Sequence, residues 1–542
     1  APKGRASVAA SRPRLVLLIA VDQFRYDYLE RFDDLFGAGG LRRLEREGAS
    51  WTEANYDHIP TETAPGHATM MTGAWPSETG IVGNEWFERE TNRVVTNIQD
   101  DAVKIIGGGD AETGASPRRL LVSTLGDELR LATNGRAKVI GISVKDRAAI
   151  FPAGRTANAA YWFSTVTGLF VSSTYYFAQL PAWVVRFNEA RPADKFFGAR
   201  WERLLPESEY LRRAGPDAPP WERLGNAKDT NTFPHVTTGG AAAPGKDFYE
   251  ALRYAPYTND LLVSFAEQSI ANENLGADAD TDVLSVSFSA NDYVGHRFGP
   301  YSQEAMDMTL RVDKQIAALL DVVDKRVGLR NTVVVFTADH GVAPTPEHAA
   351  ALNLGGARVR TTDVLNAVRN AVKVRYGKSS EKDATADYIQ AFENNSIYFN
   401  ETALRRDRVE QEEIERVAGE AALTVPGISR YFTRTQLERR AVSPADAVAR
   451  RALHGFNARR SGDVIIVQEP FKYLSDGTTG ATHGVPYSYD THVPLIIMGG
   501  GIAPGRYAQA ATPADIAPTL ANILRVQAPS NAVGRVLLEA IR

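Results

Sequence analysis

There is no cysteine anywhere in the chain. Disulfides, thiolate nucleophiles, zinc fingers and iron–sulfur clusters are therefore excluded, although this absence does not decide the compartment. Long apolar runs are missing as well. The longest, Leu15–Val21, is too short to cross a bilayer and reads as a buried strand. Nor is there an excess of positive charge: the formal net charge is −4 over 542 residues, with no long basic run, so a nucleic acid would find no electrostatic footprint. Internal repeats and low-complexity tracts are absent, which sets aside solenoids and disordered linkers. What remains is a chain 44% hydrophobic, able to bury the core of one large α/β domain with insertions or of two to three domains. It opens on Ala1 rather than Met, as expected of a chain from which an export signal has been removed.

Residues 1–13 are small, polar and basic and read as a loose lead-in. The apolar run from Leu15 to Val21 ends abruptly in Asp22, the pattern of a parallel strand buried on both faces. Short amphipathic helices are predicted over 39–48 and over 116–131, the second with Leu121, Leu125 and Leu129 on one face. A strand over 138–144 runs into Lys145-Asp146-Arg147, and if it continues, Lys145 and Arg147 share a face. Between 153 and 246 Trp, Tyr, Phe and Pro are dense and periodicity is scarce, so this stretch reads as an aromatic-rich insertion roofing a site. A helix over 258–272 and a strand over 283–290 follow, then Asn291-Asp292-Tyr293-Val294-Gly295-His296. After a helix over 302–325, the strand 332–338 ends in Asp339-His340-Gly341. Residues 375–460 are rich in Arg and Glu at helical spacing and read as a second, charged helical insertion; the core resumes at 463–467. Strands alternating with helices predict an α/β fold with a mainly parallel sheet.

Two features carry chemistry. Thr61-Glu62-Thr63-Ala64-Pro65-Gly66-His67 looks like a turn opening a short helix, since Pro is tolerated in a first turn. Thr63 could be a plain N-cap. It could equally be a nucleophilic hydroxyl at a helix start, where free backbone N–H groups attract a phosphate; it then needs a base or a metal to become an alkoxide. The second feature is the set of strand ends: Asp22, then Asp292 with His296, then Asp339 with His340, and a further histidine in Thr482-His483-Gly484. Ligand crevices of open parallel sheets lie at the carboxyl ends of strands, where such residues converge. Asp22, Asp339, His340 and the Thr63 oxygen would fill one tetrahedral metal site, and Asp292, His296 and His483 would supply three ligands to a second. A pair of ions a few ångströms apart stabilises both the attacking and the leaving oxygen of an in-line displacement at phosphorus.

The motifs T-E-T-A-P-G-H, G-N-E-W-F around Asn84, V-K-D-R, N-D-Y-V-G-H, T-A-D-H-G and T-H-G-V-P-Y-S-Y-D-T-H-V-P resemble those of the alkaline phosphatase superfamily, from Asp22 to the closing D-I-A-P-T-L-A at 515–521. More closely, the chain is similar to the monomeric PafA-type alkaline phosphatases of Gram-negative bacteria, which use Thr as nucleophile. The resemblance implies an alkaline phosphatase-like domain over 14–542, with a central sheet flanked by helices and the two insertions. It implies a phosphate monoester hydrolase, with some diesterase activity, working through a phospho-threonine at Thr63. Asn84, Lys145 and Arg147 would contact phosphate oxygens, and Asp22, Thr63, Asp292, His296, Asp339, His340 and His483 would ligate two Zn2+. The partners would be small phosphate esters and inorganic phosphate, without a membrane span, in a periplasmic or secreted monomer. His58, His67, His235, His348, His454 and His492 are left to structural or surface roles. The rival reading is a nucleotide pyrophosphatase/phosphodiesterase, similar at Thr63, Asn84 and the ligands. Lys145 and Arg147 favour the dianionic monoester. A sulfatase is disfavoured, because oxidation of a Thr gives a ketone and residues 63–67 lack the arginine of that motif. A phosphoglycerate mutase or a metal-binding structural module remains the reading from another class.

Overall fold

The computed structural model describes residues 12–109, 112–223, 230–377 and 388–542. Most of the lead-in expected over 1–13 lies outside these residues, as do short pieces of both expected insertions. The core is a ten-stranded sheet in a three-layer α/β arrangement. Its centre is four mutually parallel strands, here β1 (Leu15–Val21), β2 (Val139–Ser143), β3 (Asp282–Phe288) and β4 (Thr332–Thr337), in the spatial order β4-β1-β3-β2. Beyond β4 lie Leu495–Gly499, Gly48–Ala54 and Gly505–Ala511; beyond β2 lie Ala159–Phe163, Phe170–Ser173 and Ile105–Ile106. The first of these outer strands pairs antiparallel with β4, so the sheet is mixed at its flank and parallel at its heart.

Every residue of the four central strands is buried. Alternation decides which core each side chain enters. Leu15, Leu17, Ile19 and Val21 join Leu284, Val286, Phe336 and the helix residues Leu261 and Leu319 on one face. Val16, Leu18 and Ala20 join Val283, Val335, Met70 and Leu520 on the other. Two covered faces explain why these strands read as continuous apolar runs. Each fully buried Leu or Ile contributes about 1.5–3 kcal/mol relative to exposure.

The register aligns Ser143, Ser287, Ala20 and Thr337 in one row across the sheet. Two residues past that row come Lys145, Ser289, Asp22 and Asp339, so three of the candidate site residues leave the sheet at the same level. Asp292 arrives a little later, in the first turn of α3 (Ala290–Phe298).

Three sequence expectations need correction. The helix expected over 116–131 is a short turn at Pro117–Arg119 followed by a helix at Leu125–Ala132. Thr124 caps the latter, with Asp127 bonding back in a capping box, so the chain restarts there and Leu121 is left half exposed. The strand over 138–144 does not continue through Lys145 and Arg147. It ends at Ser143, Lys145 becomes the N-cap of α2 (Asp146–Ala153), and Arg147 sits in its first turn. The run at 463–467 is a strand, Val464–Gln468, but it belongs to a separate four-stranded antiparallel sheet with Ile389–Glu393, Ser396–Phe399 and Ile428–Thr433. The helices Thr361–Tyr376 and Gln411–Leu423 pack on that sheet through Val364, Val368, Ile414 and Ala418. Within 153–246, Ala159–Phe163 and Phe170–Ser173 extend the central sheet, and the other described residues form short helices, turns and a small antiparallel pair of Arg200–Trp201 with His235–Val236.

The helix α1 (Thr63–Thr72) is buried on every side. Its small residues let it lie against the end of β4, and at Gly66 a Cβ would collide with the backbone of Asp339. Gly66→Ala is expected to cost about 1–3 kcal/mol through this overpacking, read as a lowered denaturant midpoint. It should also reduce activity, because α1 carries Thr63.

Candidate active site

Thr63 is the first residue of α1 and is 1% exposed. The N-cap position belongs to Glu62, in extended conformation and without a side-chain cap bond, so the simple capping role does not apply to Thr63. The first-turn amides after Thr63 are not open to an anion either. Ala64 N–H donates to Asn84 Oδ1 at 3.1 Å, Pro65 has none, and Gly66 N–H donates to the Glu62 carbonyl at 3.0 Å. The expectation of free backbone donors at this helix start thus narrows to the Thr63 N–H.

Lys145 holds the centre. Its ammonium lies 3.2 Å from Thr63 Oγ1, 2.6 Å from Asp292 Oδ2 and 2.8 Å from Asp22 Oδ2. Burial alone would lower its pKa, but the Asp22 and Asp292 carboxylates override this and keep it protonated. The Tyr293 ring lies under the ammonium with its centroid 5.1 Å away. Arg147 follows one residue after the helix start. Its Nε is buried with no hydrogen-bond partner, and its nearest ion pair, to Asp146, is long at 3.7 Å.

Because Asn84 Oδ1 accepts from Ala64, its amide Nδ2 remains as a donor. Asn84 N–H in turn donates to Glu62 Oε2 at 2.7 Å.

Two groups of donor atoms fall within 4.8 Å of one another: Asp292, His296 and His483, and Asp22, Asp292 and His340. Asp292 belongs to both. Asp339 sits beside the second group, its Oδ2 3.6 Å from His340 Nε2, while its Oδ1 accepts from the N–H groups of Gln23 and His340, each at 3.0 Å.

The chemistry of these donors fits divalent cations. His296, His340 and His483 each turn Nδ1 to a backbone carbonyl, those of Ala481, Gly341 and Thr61, at 2.8, 2.9 and 2.7 Å. A carbonyl can only accept, so Nδ1 carries the proton and the Nε2 lone pair points into the site. Burial pushes His340 down to about 3, which keeps it neutral. Apart from the Lys145 ammonium, neither oxygen of Asp22 has a hydrogen-bond donor, and Asp339 Oδ2 and His340 Nε2 are likewise buried without a hydrogen bond. Burial and the neighbouring Asp339 carboxylate push Asp22 well above the usual range. Asp292, despite burial, is held well below it by His296 and Lys145.

Several contributors were not singled out from the sequence. Gln23, with φ of 63°, donates from its backbone to Asp339 and from Nε2 to Asp292 Oδ1 at 2.6 Å, tying two strand ends together. His67, left to a structural role, is fully buried one helical turn from Thr63. It hydrogen-bonds the Thr63 carbonyl at 2.9 Å and Ser287 Oγ at 2.8 Å, with Asp339 Oδ2 3.2 Å away. The i, i+4 spacing from Thr63 was the signal for it. Asp490 accepts from Gly484 and Val485 N–H and from Thr61 Oγ1, which locks the His483 loop to the start of α1. His492 instead spends its ring on the Thr52 carbonyl and on stacking against Tyr26.

A protein-family model described as type I phosphodiesterase / nucleotide pyrophosphatase matches residues 16–488. The chain is similar to the alkaline phosphatase PhoV of Synechococcus elongatus, 36% identical over 98% of this chain and 94% of that one. It is also similar to the alkaline phosphatase PafA of Elizabethkingia meningoseptica, 35% identical over 98% and 95% of the two chains. The crystal structure of wild-type PafA matches with a TM-score of 0.90 at 34% identity, covering 98% of this chain and 100% of that one. A PafA mutant with a threonine, an asparagine, a lysine and an arginine replaced matches with a TM-score of 0.89.

Since Asp292 belongs to both donor groups, Asp292→Asn is expected to lower bound metal at both positions, whereas His296→Ala lowers it at one. Elemental analysis of the two purified variants checks the difference.

Proposed function

Because the chain belongs to the type I phosphodiesterase / nucleotide pyrophosphatase family, we propose that it is its alkaline phosphatase branch that this protein represents: a metal-dependent phosphate monoester hydrolase with Thr63 as nucleophile. The observation that carries the reading is the position of the Lys145 ammonium, 3.2 Å from Thr63 Oγ1 and wedged between two carboxylates of the donor groups. The near-full-length similarity to proteins named alkaline phosphatases supports it. So does the residue choice in the PafA mutant, whose four replaced residue types are those of Thr63, Asn84, Lys145 and Arg147.

Two divalent ions, proposed as zinc from the Asp/His donor set and the resemblance, would be held by Asp22, Asp292, His296, Asp339, His340 and His483 together with Thr63 Oγ1. When bound they lower the pKa of the Thr63 hydroxyl and offset charge on the departing oxygen. The residues do the rest. Thr63 Oγ1, its proton passed to solvent, forms a bond to phosphorus as the ester P–O bond opposite it breaks, and the alcohol leaves with a proton from solvent. Lys145, Arg147 and the Asn84 amide hold the non-bridging oxygens as their charge redistributes. Water then attacks the phospho-threonine in line, the P–O bond to Thr63 breaks, and inorganic phosphate departs as Thr63 recovers its proton. Two inversions give net retention at phosphorus.

The family description favours a second reading, a phosphodiesterase on the same site. A diester carries one charge fewer than a monoester, so it loses more from facing Lys145 and Arg147 without a dianion to balance them. Monoesters are therefore the preferred substrates, with diesterase activity as a side reaction. The stretch 153–246 is read as a roof over the pocket, supported by the Trp221 carbonyl accepting from Gly480 N–H, next to Ala481, which bonds His296. The resemblance further proposes a monomer exported to the periplasm or medium. Among the described residues no helix is long and apolar enough to cross a membrane.

Thr63→Ala is expected to lower monoester turnover by roughly three orders of magnitude or more while metal content stays at the parental level. Near-parental turnover in that variant would remove the nucleophile assignment. Lys145→Ala should cut kcat/KM for a monoester about ten- to a hundredfold, the scale of a charge-assisted hydrogen bond, and cut that for a diester less. Equal losses on the two substrates would leave the phosphodiesterase reading in front.

A further inference from the structure

The loop that carries Asn84 packs on the core through Ile81, Val82 and Trp86, which share a buried cluster with Ala64 and Ala68 of α1. Its course from Gly80 to Arg89 is also held from outside, by the segment that bears the separate four-stranded sheet, Ile389 to Gln468. On the N-terminal flank, Arg460 donates to the Gly80 carbonyl at 2.6 Å and to the Arg119 carbonyl at 2.7 Å, with its guanidinium over the Trp86 ring. On the C-terminal flank, Arg89 donates to the Ser461 carbonyl at 3.0 Å and to Asp463 Oδ1 at 2.8 Å, over the ring of Tyr398.

Between these two anchors the hairpin joining Ile389–Glu393 to Ser396–Phe399 reaches the loop itself. Its two turn residues, Asn394 and Asn395, have φ of 50° and 55°, the left-handed pair that a tight two-residue hairpin turn requires and that Asn tolerates. Asn394 Nδ2 donates to the Glu85 carbonyl, one residue past Asn84. At Gly83, one residue before Asn84, a Cβ would collide with the same Asn394 amide. The hairpin tip thus touches the chain on both sides of Asn84.

We propose that this segment is a positioning clamp for the phosphoryl-binding amide: Asn394, seated between Gly83 and Glu85, sets where Asn84 presents Nδ2 to the substrate. Asn394 is a positioning residue and touches no substrate atom. The inference rests on the reading of Asn84 as a phosphoryl contact. It assigns the second inserted segment a part in substrate binding.

The test uses the metal-loaded full chain. Asn394→Gly keeps the left-handed turn and removes only the side chain. It is expected to leave metal content unchanged, to lower kcat/KM for a small aryl phosphate monoester about three- to tenfold, and to weaken inhibition by inorganic phosphate by a similar factor, the scale of one neutral hydrogen bond. In an Asn84→Ala background the same substitution should have no further effect on either quantity, because its only route to the substrate is gone. A thermal midpoint for each variant separates loss of folded protein from loss of positioning. An equal fold-loss with and without Asn84 overturns the clamp, and so does a parental Asn394→Gly enzyme when Asn84→Ala is impaired. A parental Asn84→Ala enzyme removes the phosphoryl-contact reading instead, and the clamp with it.

Discussion

Asp22 and Asp339 are fully buried and Asp292 nearly so, and carboxylates taken that far out of water persist only where cations close around them. The desolvation cost is of the order of several kcal/mol per ion, and three such groups within one site repel one another besides. Lys145 compensates two of them directly. Asp339 takes two backbone N–H groups on Oδ1 and has His67 Nδ1 3.2 Å from Oδ2. Asp22 is left as the group whose charge is least compensated, with burial and Asp339 both raising its pKa. The site is therefore built short of positive charge, and His296, His340 and His483 keep Nδ1 on backbone carbonyls, which leaves Nε2 for the site. Divalent cations are the species that such a donor set lacks.

Only a parallel sheet with fixed register brings these groups together. Lys145, Asp22 and Asp339 leave their strands at one level because Ser143, Ala20 and Thr337 are aligned through Ser287. A slip of one residue in β1 would exchange the two cores, sending Leu17 and Ile19 to the face of Val16 and Leu18, and would displace Asp22 relative to Asp339. The apolar packing on both faces thus fixes the spacing of the charges at the strand ends. Stability of the core and geometry of the site are the same constraint.

That dependence explains what could be read from residues alone. A strand buried on both faces is a near-continuous apolar run, and an acid at its end interrupts it sharply, so Asp22, Asp292 and Asp339 stand out. The run at Val464–Gln468 looks the same, yet it lies in another sheet, because periodicity identifies a buried strand and not its neighbours. Lys145-Asp146-Arg147 suits a strand continuing or a helix starting equally well; the helix starts, since Lys145 turns inward to Asp22 and Asp292. Gln23 carries no signal in its residue type, as its role comes from a left-handed backbone that aims both its N–H and its amide at the acids. Asn394-Asn395 did carry a turn signal, hidden within a segment dominated by charged helical spacing.

The start of α1 bears on how an anion would be recognised. A helix N-terminus ordinarily offers bare amides to a phosphate, but here Asn84 and Glu62 have taken those of Ala64 and Gly66 and Pro65 offers none, which leaves the Thr63 N–H. On the proposed reading, the positive charge facing the phosphoryl group then comes from side chains at the start of α2, Lys145 and Arg147, and the neutral donor from Asn84. Backbone amides would treat a monoanion and a dianion much alike, each amide gaining one hydrogen bond from either. A lysine and an arginine do not, because the Coulomb gain scales with the charge they meet and the site is dry enough for that difference to survive. On that reading, discrimination between monoester and diester sits off the helix that carries the nucleophile, at the neighbouring strand end, and is coupled to the donor groups because the same Lys145 compensates Asp22 and Asp292.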